Sequence, residues 1–96
     1  MSILMAKQRE QGARQIVRRT EELLQGAGLT PVTIAWDLGK LDLNKTQHTL
    51  NVLVENGIVK EAFTNQQLEE CFSYIRPAVD ETLNQMLVRL VQQIKG

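Results

Sequence analysis

The stretch that decides the fold is TPVTIAWDLGKLDLNKTQHTLNVLVENGIVK, residues 30–60. Its opening, Thr30-Pro31, has the form of a helix entry. A threonine hydroxyl can accept from free amides, and a proline at the first helical position gives up a donor that had no partner. The helix so begun stops near Gly39, with Ile34, Ala35 and Leu38 as its apolar face. Leu41 and Asp42 follow as anchor and cap, and Thr46, Leu50 and Leu53, spaced i, i+4, i+7, predict a third helix over residues 42–56. Gly57 ends it.

Working outward, an amphipathic first helix is expected over residues 3–25. Ala13, Ile16, Val17, Leu23 and Leu24 recur at helical spacing, and Arg14, Arg18, Arg19 and Glu22 lie outside the stripe. Gly12 costs such a helix about 1 kcal/mol relative to alanine, so its first turns are expected to fray or bend. Gly26-Ala27-Gly28 stops it. Beyond residue 57, segments 58–63 and 71–76 are β-branched and aromatic enough for a hairpin, joined by polar residues 64–70, of which Gln66 to Glu70 also suit a helical turn. Pro77 opens a last helix whose early Asp80 and Glu81 and late Arg89 and Lys95 match the helix dipole.

Ninety-six residues, 43% apolar and 23% charged, suit one small domain. Eleven basic residues balance eleven acidic ones, which excludes a strongly cationic coat for nucleic acid and an acidic disordered tail. The distribution is uneven: residues 1–19 carry five cations against Glu10, whereas residues 61–81 carry Arg76 against five acids. The lone Cys71 rules out a disulfide within the chain and a multi-cysteine metal site, and fits a reducing compartment. Apolar runs reach four or five residues, far short of the roughly 20 that span a bilayer, and no signal-peptide pattern opens the chain. A cytoplasmic protein with no membrane partner is the expectation.

The order helix, helix, turn, helix, hairpin, helix, together with Gly39, the Leu41-Asp42 anchor and cap, and Leu50, Leu53, Gly57, Ile58 and Val59, resembles the winged helix-turn-helix transcription regulators of the broad MarR, ArsR and PadR type. Lys40 departs from the pattern as an extra residue in the turn. The resemblance implies a mainly α (α+β) fold. Within a single 1–96 domain it places an N-terminal helix over 1–28, the helix-turn-helix over 30–57, a two-stranded wing over 58–76 and a C-terminal dimerisation helix over 77–96. It also implies sequence-specific binding of double-stranded DNA, with the third helix in the major groove. Asn44, Lys45, Gln47, His48 and Asn51 would face base edges, and Thr30 and Thr33 would hold phosphate. A plain solvated helix face is the bland reading of the same residues. The segment 64–70 holds Glu69 and Glu70 and no cation, which makes a poor minor-groove reader.

Val79, Leu83, Met86, Leu87, Leu90, Val91 and Ile94 give the last helix a wide apolar face, read as the interface of a homodimer; packing on the first helix in a monomer is the alternative. Two-fold symmetry then implies an inverted-repeat operator. A single histidine and a single cysteine leave little for catalysis and no metal cluster, so no enzyme, cofactor or metal is expected. The competing readings are a protein-protein adaptor that does not bind DNA, supported by neutral charge and the acidic wing, and a plasmid-maintenance or architectural DNA-binding protein.

Overall fold

A computed structural model describes residues 3–96, so Met1 and Ser2 of the expected 1–96 unit lie outside the described residues. The chain runs α1 (Ile3–Gly26), β1 (Pro31–Trp36), β2 (Gln47–Val54), β3 (Gly57–Thr64), α2 (Asn65–Glu70) and α3 (Pro77–Lys95). The strands form one antiparallel sheet in the order β1-β2-β3. The fold is α+β, with the helices over one face of the sheet and the other face open. Trp36, Leu50, Val52, Val54, Val59 and Phe63 supply the sheet's half of the core, and Ala13, Ile16, Leu24, Leu68, Val79, Leu83, Met86 and Leu90 supply the helical half.

Residues 30–60 are the main correction. No helix forms between α1 and α2; the segment read as two helices builds β1, β2 and the start of β3. In β2 the buried residues are His48, Leu50, Val52 and Val54, a period of two. Leu50 is fully buried whereas Leu53 is 38% exposed on the opposite face, so the leucines taken for one helical stripe point apart. Val32, Thr33, Ile34 and Trp36 suit β1 for the same reason that they are poor helix formers: branching or an aromatic ring at Cβ restricts χ1. Trp36 packs edge-on against Phe63, with ring centroids 5.9 Å apart, and its Nε1 donates to the Ala13 carbonyl at 3.3 Å.

The hairpin is displaced as well. β2 and β3 are joined by a two-residue turn, Glu55-Asn56, between the paired Val54 and Gly57. Residues 71–76, expected as the second wing strand, pair with no strand. The chain turns into α2 instead, because Thr64 accepts from the Gln67 amide while the Gln67 side chain accepts from the Thr64 amide, a reciprocal cap.

The outer helices lie where the sequence puts them. α1 ends with Gly28 at φ 74°, its amide donating to the Gln25 carbonyl, and Leu29 donating to the Leu24 carbonyl at 2.8 Å. Gly12 does not fray the helix. It is buried, and a Cβ there would stand 1.7 Å from the Leu68 carbonyl oxygen, so it marks where α2 crosses α1. α3 has Pro77 in its first turn, Asp80 early and Lys95 late. Its apolar face is used inside the chain: Val79, Leu83, Met86 and Leu90 are core, Leu87 and Ile94 pack against it, and Val91 is half-buried. Most of the dimer surface expected there is therefore buried within the chain, because α3 packs against β3 and α1. The charge asymmetry also closes internally, through Arg9 to Glu69 at 2.7 Å and Arg19 to Asp80 at 2.6 Å.

Candidate protein-interaction edge

The sheet has two edges, and the sequence treats them differently. Along β3 side chains meet part of the outward backbone, at Ile58, Lys60 and Thr64, while among the described residues the Lys60 amide and the Ala62 amide and carbonyl meet no partner. The Ile58 amide donates to Gln93 Oε1 and the Ile58 carbonyl accepts from Gln93 Nε2, both at 2.8 Å. Arg89 donates to the Lys60 carbonyl at 3.3 Å, and Gln67 Oε1 accepts from the Thr64 amide at 2.8 Å. One glutamine of α3 thus stands in for a neighbouring strand.

The edge of β1 is open. The Asp37 amide donates to the Thr49 carbonyl at 2.8 Å, and alternation in an antiparallel ladder then directs the amides and carbonyls of Ala35 and Thr33 toward β2 and those of Ile34 and Trp36 away from it. The Trp36 carbonyl accepts from the Gly39 amide. Among the described residues, the Ile34 amide and carbonyl and the Trp36 amide meet no hydrogen-bond partner. Only Pro31 and the register shift between Pro31 and Thr33 blunt this edge, and both lie at its start.

Beside the open edge runs a groove between β1 and α1. One part, about 680 Å³, is bounded by Ala13, Arg14, Val17 and Arg18 of α1 with Trp36, Lys40 and Leu41, and Glu10 and Glu21 also border it. It continues past Val17 and Glu21 to Pro31, Val32, Thr33 and Ile34. Arg14, Arg18 and Lys40 are exposed and form no ion pair among the described residues.

The loop that follows β1 is held by Asp37. Its carboxylate accepts from the amides of Asp42 at 2.9 Å and Thr49 at 3.0 Å, and faces His48 Nδ1 at 3.2 Å. Burial disfavours its charge, but the two amides and the imidazole outweigh that cost and hold its pKa below the usual carboxylate range. His48 is fully buried, with Nε2 2.7 Å from Asn65 Oδ1, and Asn65 Nδ2 donates to the Lys45 carbonyl. Both imidazole nitrogens therefore face acceptors.

The residues expected to read DNA are not brought together. Thr30 is exposed before β1 and Thr33 is exposed on it. Asn44 and Lys45 are exposed in the loop after β1, and Gln47 is exposed at the start of β2. His48 points inward as part of the core. Asn51, half-buried on the open face of the sheet, donates to the Asp37 carbonyl at 3.0 Å. What the sequence reading missed is the edge itself. Its traces were the β-branched run at residues 32–34 and the i, i+4 pair Arg14 and Arg18, which stay on the surface while Arg9 and Arg19 find acids. Cys71 is fully buried, where desolvation pushes its thiol pKa up. No described helix is long and apolar enough to cross a membrane. Compared with known protein families, with curated proteins and with solved structures, the chain finds no match.

Proposed function

We propose that this chain is a non-catalytic protein-binding unit that takes up an extended segment of a partner along β1, by strand addition. One observation carries the reading: β1 presents unpaired backbone groups beside a groove, while on β3 Gln93, Arg89 and Gln67 meet the outward backbone at both ends of the strand. Main-chain pairing supplies affinity in this mode, and pockets for alternate side chains supply selectivity. This is the adaptor alternative raised by the sequence, relocated from an acidic wing to a sheet edge.

Duplex DNA is the second reading, supported by the exposed and unpaired Arg14, Arg18, Lys40 and Lys45. It would work through phosphate contacts, since residues 42–56 form no helix to enter a major groove. The transcription-regulator reading therefore rests on the sequence resemblance, and homodimerisation would need a surface other than the buried face of α3.

Selection from a random peptide library and from a random duplex pool, run in parallel on the full chain, tests the proposal. Enrichment of peptides that shift the backbone resonances of residues 32–36 is expected. Enrichment from the duplex pool alone would overturn it.

A further inference from the structure

We infer that the segment taken up along β1 is acidic, with carboxylates near its middle that meet Arg14 and Arg18 of α1 and Lys40 of the following loop. This rests on the strand-addition reading above and adds the partner's charge to it.

An added strand lies about 4.8 Å beyond β1 and turns every second side chain toward the helical side of the sheet. There it meets Val17 and Leu41 with Arg14, Arg18 and Lys40. Arg9 and Arg19 on the same helix are matched to Glu69 and Asp80, whereas Arg14 and Arg18, one turn apart, have no ion pair although Glu10 and Glu21 are within a turn of them. Glu10 and Glu21 bracket the cations, so carboxylates are favoured opposite the centre of the groove and disfavoured at its ends. A second copy fits less well: its β1, Pro31-Val32-Thr33-Ile34-Ala35-Trp36, carries no acid and would leave the arginines unmet. Duplex DNA would meet the cations, but phosphate oxygens offer no donor to the Ile34 carbonyl.

The probes are blocked hexapeptides of sequence TEVEVT, TQVQVT and TKVKVT, two forms of the first with alternate backbone amides N-methylated, and a random DNA duplex. Each is titrated into the full chain, with calorimetry for affinity and amide resonances for location. TEVEVT is expected to bind about ten-fold more tightly than TQVQVT and to lose that advantage as salt rises, with TKVKVT weakest. An Arg14→Glu/Arg18→Glu double variant, altered only at exposed positions, should retain its melting temperature and reverse the preference toward TKVKVT. Shifts are expected at Ile34 and Trp36, and one N-methylated form should not bind. Equal affinity of the three peptides, with shifts still at Ile34 and Trp36, overturns the acidic partner and leaves strand addition standing. Binding that survives both N-methylations, binding of the duplex alone, or self-association with no peptide bound overturns both.

Discussion

Asp37 adopts φ 52°, a left-handed backbone that a non-glycine residue keeps only where its surroundings compensate, at a cost of about 1–3 kcal/mol. Two amides and an imidazole held by one carboxylate provide that compensation and pin the loop across the end of β2. Because the folded pKa of Asp37 lies below its unfolded value, its contribution is complete above about pH 4 and is lost as pH falls through the folded pKa. Urea unfolding across the acid range should therefore show stability falling with pH in the native chain and a shallower fall in Asp37→Asn; identical slopes would contradict the assignment. His48→Ala removes the bridge between Asp37 and Asn65 and leaves the buried Asp37 carboxylate short of a partner, which should cost about 3 kcal/mol in chemical denaturation. A solvent-facing His48, as the DNA reading required, would cost next to nothing. In the sequence, nothing local separates the two: His48 is one of a row of polar residues, and only the alternation with Leu50, Val52 and Val54 places it inside.

Elements were legible where a single period dominated. α1 and α3 show an unbroken helical stripe with a glycine stop or a proline start, and both form as read. β2 satisfies two templates at once, since Thr46, Leu50 and Leu53 match a helix while residues 48–54 alternate. Pairing with β1 and β3 decides between them, and that information is non-local. One local sign did favour the strand: Glu55-Asn56-Gly57 is a turn-forming cluster directly after an alternating run, and Glu55-Asn56 is the turn joining β2 and β3. Gly12→Ala discriminates between glycine as helix weakness and glycine as contact. Helix propensity alone predicts a gain of about 1 kcal/mol. A Cβ 1.7 Å from the Leu68 carbonyl oxygen instead forces α1 and α2 apart, so a loss of roughly 1–3 kcal/mol is expected on thermal or urea unfolding. Thr64→Ala should cost about 1 kcal/mol by removing the cap of α2, and an unchanged midpoint would contradict the capping geometry.

At the scale of the molecule, the neutral total charge conceals a division of labour. Arg9 and Arg19 tie α1 to the acidic second half of the chain, and Arg14 and Arg18 remain on the groove. The asymmetry was legible in sequence; which arginine faces which way was not, because it depends on where α2 and α3 pack. The open edge was equally hidden, since an edge is a property of strand order. Amide hydrogen exchange on the free chain tests the account most directly, comparing Ile34 on β1 with Ile58 on β3, two outward-facing amides at opposite edges of one sheet. Ile58 should be protected by Gln93 while Ile34 exchanges nearly as fast as an unstructured amide. Protection of Ile34 equal to that of Ile58 would mean that β1 is already covered, and would contradict it.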